Sequence, residues 1–183
     1  FNSTGDNTTE SGGSISLAAK LNSQPSSDVT FTLSSSDTTE GSVGESSITF
    51  TSSNWGATQW IPITGVDDNS VDGNQNYTVI IGAASSSDSN YYGTDPDDIS
   101  VTNIDDDTAG FTVTTISGVT TEYGTTATFT VKLSSQPTAN VTIAVSSSDT
   151  GEGTVSPSTL TFTSSNWSTA QTVTATGVND GSA

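Results

Sequence analysis

The sequence predicts an all-β protein built from antiparallel β-sandwiches in tandem. Val, Ile, Leu and Phe alternate with Ser and Thr along short segments, and this period of two is typical of strands with one buried face. Gly, Asn, Asp and Pro, which form turns, separate the segments. In addition, the chain repeats itself at a spacing that suits a whole sandwich domain and is too long for one unit of a solenoid.

The internal repeat has one clear register. Residues 20–68 align with residues 132–180 at a constant offset of 112 without a gap, and 28 of these 49 positions are identical. The motifs SQP, SSSDT and TFTSSNW recur in the same order in both copies. We therefore predict a first sandwich over residues 1–107 and a second over residues 108–183.

About seven strands are predicted in each repeat. The opening strand is visible at residues 110–117 of the second repeat, and its tail is expected at residues 1–4 of the first. Side chains of alternating residues point to the same side of a strand, so Ile15, Leu17 and Ala19 are expected to share a buried face. The other predicted strands of the first repeat cover residues 14–21, 28–34, 47–51, 59–64, 76–84 and 98–104.

The second repeat is predicted to be incomplete, because the sequence stops soon after the turn at residues 176–178 and so lacks the last two strands. A sandwich without these strands exposes open sheet edges. Two explanations remain open. The chain is either a fragment of a longer repeat protein, or a filament subunit that receives the missing strands from a neighbouring chain.

The charge of the chain is strongly one-sided. Twenty acidic residues are opposed by Lys20 and Lys132, so the formal net charge is −18. Nucleic acid is therefore not an expected partner. Membrane insertion is not expected either, because the sequence has no run of about 18 apolar residues. A bound cation is the expected neutraliser, and calcium suits oxygen ligands outside the cell. Because Cys and His are absent, thiolate and imidazole chemistry is excluded and no enzyme is expected.

Half of the acidic residues lie within residues 67–107, in three loop clusters. In the first cluster, Asp68, Asp72 and Gly73 half-match a calcium-binding loop in which glycine permits a sharp turn. The second cluster lies in the turn-rich segment 85–98. The third cluster stands at the boundary between the repeats and consists of Asp105, Asp106 and Asp107. It is either a shared calcium site that stiffens the junction or a solvated acidic linker.

These motifs resemble those of Calx-β repeats, which are extracellular modules with bacterial surface-protein relatives. That family shows an early E-G pair, a V-x-D-D turn and a closing D-D-D, which are similar to residues 9–12, 66–68 and 105–107 here. The resemblance implies an Ig-like sandwich that binds calcium at one end through acidic loops. It implies as metal ligands Glu10, Asp67, Asp68, Asp72, Asp105, Asp106 and Asp107, with Glu122 and Asp180 in the second repeat.

The chain departs from the Calx-β pattern after the D-D turn. The acidic pair that usually follows is replaced by Asn74, Gln75 and Asn76. Neutral side chains attract a cation less strongly than carboxylates, so we expect a weak site, in the sub-millimolar to millimolar range typical of extracellular modules.

Several other residues have two interpretations. Trp55 and its repeat Trp167 are expected to plug the end of each sandwich, although a tryptophan in a turn could also stack on sugar. Glu40, together with Asp37, is either a further calcium ligand or an ordinary loop carboxylate, and the same holds for the matching pair in the second repeat. Tyr92 is either a partner-binding residue or locally packed.

From these features we expect a structural or adhesive module of a secreted or cell-surface stalk or fibre, stiffened by calcium at its loops and at the junction between repeats. Its expected partners are neighbouring repeats of the same protein. Two alternatives remain. The first is a self-assembling extracellular filament formed by strand exchange between chains. The second is a module that binds surface glycan or protein through exposed aromatic side chains.

Overall fold

The computed structural model of this chain describes residues 1–179 and residue 181, and this part of the chain is all-β, with sixteen strands and no helix. The predicted fold class is therefore confirmed. The chain divides into two compact units, which are Phe1–Asp68 with Asp72–Asp106, and Asn69–Val71 with Asp107–Ala183. A search of the described residues for a helix of membrane-spanning length and hydropathy found none.

The first unit contains ten strands, and they include the six predicted above for residues 14–104, with ends that differ by three residues or fewer. Three short strands, β2, β5 and β9, were not predicted. In chain order the strands are β1 (Asn2–Ser3), β2 (Asn7–Thr9), β3 (Ser14–Ala19), β4 (Val29–Ser35), β5 (Gly41–Val43), β6 (Ser47–Phe50), β7 (Gln59–Gly65), β8 (Gln75–Ile81), β9 (Ser85–Ser86) and β10 (Ile99–Ile104).

These strands form two sheets. One has the order β1, β3, β7, β5, and the other has the order β2, β10, β8, β4, β6, with β9 pairing beside β8 on the same edge of β4. Neighbouring strands are antiparallel with one exception, because β2 runs parallel to β10. The opening segment causes this exception by changing sheets. β1 pairs with β3, and after Gly5 the chain crosses to β10, where Thr102 N donates to Asp6 O at 2.8 Å.

The core of the first unit lies between the inner faces of the two sheets. The burial of β3 alternates as the sequence predicts, with Ile15, Leu17 and Ala19 buried and Lys20 exposed. Sixteen buried apolar or aromatic residues form one cluster, in which Phe31 and Phe50 meet edge to face. This cluster is large enough to hold the unit together without disulfides.

The second unit repeats six of these strands in the same order. Its four-stranded sheet has the order β11, β12, β16, β14, and a separate pair is formed by β13 and β15. The strands are β11 (Phe111–Val113), β12 (Thr126–Leu133), β13 (Val141–Ala144), β14 (Gly153–Ser156), β15 (Thr159–Phe162) and β16 (Gln171–Gly177).

The second unit has a smaller core than the first. Its buried cluster contains five apolar residues, compared with sixteen in the first unit. The difference appears at matched positions 112 residues apart. Leu17 is fully buried while Phe129 is only half-buried, and Phe31 is buried while Ile143 is half-buried. The apolar alternation is present in both units, but in the second it lacks part of its cover.

Two neighbouring residues of β7 provide a test of the packing. We expect Ile61→Ala to lower the free energy of unfolding of the first unit by about 2–5 kcal/mol, because it leaves a cavity in the core. Ile61 is 1% exposed, whereas Trp60 is 60% exposed on the opposite face. Trp60→Ala should therefore change the free energy by less than about 1 kcal/mol. Urea unfolding followed by circular dichroism measures both, and equal losses would contradict the assigned faces.

Candidate metal centre

Five acidic side chains meet at one end of the first unit. Each one stands where a strand begins or ends: after β2, before β5, after β7, before β8 and after β10. Strand register brings these ends together, because Thr9 pairs with Ile104 and Gly65 pairs with Gly41. We call the following five residues the carboxylate cluster: Glu10, Glu40, Asp68, Asp72 and Asp105.

The carboxylates of this cluster fall into two groups of closely spaced oxygen atoms. Glu40, Asp68 and Asp72 each offer an oxygen atom within 4.8 Å of the others. Glu10 and Asp105 likewise offer oxygen atoms within 4.8 Å of each other. Groups of acidic oxygens at this spacing could hold a metal ion, and hard cations prefer such ligands.

Backbone hydrogen bonds hold two of these side chains in place. Glu10 N donates to Ile104 O at 3.1 Å, and Asp106 N donates to Glu10 Oε2 at 3.4 Å. Asp105 Oδ2 accepts from Gly73 N at 2.7 Å. Gly73 has a φ of +78°, a conformation that favours glycine, and it turns its amide toward Asp105. The loop before β8 is thereby tied to the end of β10.

Glu10 is buried, being only 2% exposed. Burial is the main cause that raises its pKa from an ordinary 4.5 to about 7. The hydrogen bond from Asp106 opposes this rise, while the negative charges of Asp105, Asp68 and Asp72 add to it. Charges from both groups of carboxylates therefore raise the pKa of Glu10, so the two groups act electrostatically as one cluster.

Glu40 has a similar environment. It is 9% exposed, and burial raises its pKa. A hydrogen bond from Asn103 opposes this effect, and the charges of Asp72, Asp37 and Asp68 add to it. The basic side chain of this unit, Lys20, follows the far end of β3 and does not reach the cluster. Two buried glutamates thus face other carboxylates without a nearby lysine, an arrangement that is unfavourable unless a cation or protons neutralise it.

A chain of buried polar groups leads from Glu40 into the core. Tyr77 Oη lies 3.2 Å from Thr8 Oγ1, and Thr8 Oγ1 donates to Asn103 Oδ1 at 3.1 Å. Because Thr8 has a single hydroxyl proton, the Tyr77 hydroxyl is the donor in their contact. Asn103 Nδ2 donates to Val66 O at 2.9 Å and to Glu40 Oε2 at 3.4 Å. Asn103 therefore links the core to the cluster.

Gly65 permits this close arrangement. A Cβ atom at this position would overlap Asn103 Oδ1 and the carbonyl oxygen of Thr9. Only glycine lets the end of β7 approach both groups. The TGV turn that recurs in the sequence therefore has a packing reason in the first unit.

Within the first unit, the structure brings four of the predicted ligands together. Glu10, Asp68, Asp72 and Asp105 join the cluster, and Glu40, whose role was left open, joins them. Asp67 and Asp106 are exposed, and Asp106 contributes its backbone amide.

In the second unit, the predicted ligand Glu122 is exposed. Asp107 belongs to this unit as well. The predicted ligand Asp180 lies outside the described residues.

The two recurring tryptophans pack as sandwich plugs. Trp55 and Trp167 are half-buried against the cores of their own units, and each accepts a backbone hydrogen bond, from Leu21 N at 2.9 Å and Leu133 N at 3.0 Å. Tyr91 also packs locally, because its hydroxyl donates to Ser23 O at 2.6 Å. Tyr92 is 73% exposed.

Comparison with protein-family models and with curated proteins finds no match for this chain. The resemblance to Calx-β repeats rests on its short motifs.

The role of Asn103 can be tested by substitution. Asn103→Ala removes partners from Glu40, Val66 and Thr8 in a buried environment, so we expect the free energy of unfolding to fall by about 2–3 kcal/mol. The matched control is Asn76→Ala, on the exposed face of β8, where a fall of less than about 1 kcal/mol is expected. If chemical unfolding shows similar losses of free energy at both positions, the chain of buried polar groups does not have the proposed importance for stability.

The raised pKa of Glu10 predicts how the free energy of unfolding of the metal-free protein depends on pH. Its folded pKa of about 7 lies above the ordinary 4.5, so the folded state binds an extra proton between these values. The stabilisation is fully present below the unfolded pKa and is lost as pH rises through the folded pKa.

We therefore expect the metal-free protein to unfold more easily at about pH 8 than at about pH 5.5, with a slope no steeper than about 1.4 kcal/mol per pH unit from Glu10. Glu10→Gln should flatten this slope in urea unfolding with EGTA. Glu40 shifts in the same direction, so a residual slope is expected. An unchanged slope in the variant would contradict the assignment.

Proposed function

We propose that this chain is a structural repeat module of a secreted or cell-surface stalk or fibre, and that calcium bound by the carboxylate cluster stiffens it. The observation that carries the proposal is the pair of buried glutamates, Glu10 and Glu40, facing Asp68, Asp72 and Asp105 at one end of a sandwich. Such a set of charges is unfavourable unless protons or a cation neutralise it, and a bound cation would do so while the carboxylates stay ionised.

The donor atoms favour calcium among biological cations. The cluster offers carboxylate oxygens, and the sequence contains no Cys or His to favour zinc or copper. Calcium accepts six to eight oxygen ligands in irregular arrangements, whereas magnesium demands a small octahedron. Ligands drawn from five separate strand ends suit the less demanding ion.

A calcium ion would fasten together parts of the first unit that are distant in sequence. Glu40 precedes β5, while Asp68 and Asp72 lie in the loop between β7 and β8. Glu10 and Asp105 stand at the ends of β2 and β10, whose parallel pairing has only three partnered residues per strand. Ligation at these points opposes their separation under tension, which is the property a stalk or fibre needs.

The charge and composition support a location outside the cell. A neutral Asn-Gln-Asn run follows the cluster loop, and it favours weak binding that is filled only where calcium is abundant. We propose a non-catalytic role, because the acidic residues lie at strand ends that are joined to one another by strand pairing and hydrogen bonds. Neighbouring repeats of the same protein are the proposed partners.

Calcium should raise the melting temperature of the first unit. At free calcium about one hundred times the dissociation constant, the expected stabilisation is about 2.7 kcal/mol, equivalent to about 10 °C or more for a unit of this size. EGTA should reverse the shift. Glu40→Gln combined with Asp68→Asn should abolish most of it, because two of the three carboxylates of one group are lost.

The matched control is Asp97→Asn, which removes an exposed charge from the loop between β9 and β10 and leaves the cluster intact. It should keep the full calcium shift. In single-molecule stretching, calcium should also raise the force that unfolds the first unit of the unsubstituted chain. Absence of a melting shift, or an equal shift in the double variant, would contradict calcium binding, whereas a melting shift without a change in force would contradict the mechanical role.

A further inference from the structure

The two units differ in what covers equivalent strands, and this difference identifies a binding surface. In the first unit, one edge of β4 is occupied by β8 and β9, and the other by β6. The equivalent strand of the second unit, β13, pairs with β15, the equivalent of β6. Among the described residues, its other edge has no strand beside it.

The missing neighbour changes the local structure of β13. The last residues of β4, Leu33 to Ser35, are those that pair with β8, and they are in a strand. Their equivalents, Val145 to Ser147, are not, and β13 ends at Ala144. The backbone hydrogen bond on the opposite edge is nevertheless present in both units. Val145 N donates to Ser158 O at 2.9 Å in the second unit, and Leu33 N donates to Ser46 O at 2.8 Å in the first.

An open apolar hollow of about 680 Å³ lies against β13 and the loop that precedes it. Its walls include Phe111, Leu133, Val141 and Ile143, all within the second unit. Phe111 is 65% exposed, which is unusual for an aromatic residue in a strand of a sandwich.

The first unit shows which chemistry fills the equivalent space. There, Ala84 is buried and Tyr91 packs against the core, with its hydroxyl donating to Ser23 O at 2.6 Å. Asp88 Oδ2 accepts from Ser26 N at 2.8 Å. The positions equivalent to Ser23 and Ser26 are Ser135 and Thr138, and both line the hollow. The segment that follows β8 therefore covers, in the first unit, the site that is open in the second.

Charge also favours pairing by the strands of such a segment, because its four aspartates all lie between β8 and β10. Residues 141–147 carry no charged side chain, and neither do β8 and β10. In a chain with a net charge of −18, an uncharged strand can approach an uncharged edge without the repulsion that acidic surfaces would impose.

From these observations we infer that the open edge of β13 and the hollow beside it bind an extended polypeptide segment with the pattern of residues 75–104. This segment adds an uncharged strand with alternating apolar residues to the edge, and its following loop places an aromatic side chain in the hollow. Strand addition supplies backbone hydrogen bonds, and the alternating pockets supply selectivity.

The test adds a synthetic peptide of residues 75–104 to the full chain and follows amide hydrogen exchange. In the first unit, Ser36 N donates to Thr78 O at 2.9 Å and Ser34 pairs with Ile80. The equivalent amides are Ser148 and Ser146. We expect their exchange to slow about tenfold or more at saturating peptide. Ser34 and Ser36 should not change, because their edge is already filled.

Two changes make the test specific. A control peptide exchanges neighbouring residues, T78V with V79T and V101T with T102V, so that composition and charge are kept while the apolar side chains move to the outer face. It should give no protection. In the full chain, Ser146→Pro removes one of the backbone amides that would donate to the added strand. Ser146 lies beyond the end of β13, so the substitution leaves the existing strand pairing intact. Binding of the original peptide should weaken about tenfold or more.

Protection at Ser146 and Ser148 by the original peptide alone would support the inference. Protection by both peptides, or none at concentrations up to about 1 mM, would overturn it. Protection without peptide that grows with protein concentration would identify a second copy of the chain as the occupant, and would also overturn it.

Discussion

The pairing of β10 with two other strands is the interaction on which the first unit depends. β10 pairs with β8 on one edge and with β2 on the other, and it therefore joins β2 to the rest of the sheet. It carries Val101 into the core and Asn103 into the buried polar chain, and it ends directly before Asp105. The core, the polar chain and the carboxylate cluster thus rely on one six-residue strand.

The second unit shows what happens where no equivalent of β10 is present in the described chain. Residues 119–121, which are equivalent to β2, form no strand, and Val119 is 81% exposed. Glu122, the equivalent of the buried Glu10, is exposed, and so is Glu152, the equivalent of Glu40. Burial of the acidic side chains is therefore a property of the completed sandwich, and burial is what raises their pKa in the first unit. If calcium binds there, its affinity and the folding of this end are linked, because the ligands are assembled only in the folded state.

The sequence predicted the long strands because their alternation is a local signal. It did not predict β2, β5 or β9, since two or three residues are too few to show a period and these strands exist only through their partners. Asp68, Asp72 and Asp105 were identified from acidic clusters near turns. Glu40 remained undecided because its burial depends on residues distant in sequence. Asn103 was missed, although a polar residue in the inward register of β10 was an available signal.

The repeated motif SSSDT shows why such predictions stop at a definite point. It occurs at residues 34–38 and again at residues 146–150. Both copies make the same tight turn, with Ser35 Oγ and Ser147 Oγ each donating to an aspartate carbonyl at 2.8 Å. Yet the first two residues of the first copy are in a strand, and those of the second copy are not. Local sequence determines the turn, which is made by its own atoms, whereas the strand requires hydrogen bonds from another segment. A period-two pattern therefore predicts that a segment is able to pair, and only the presence of its partner decides whether it does.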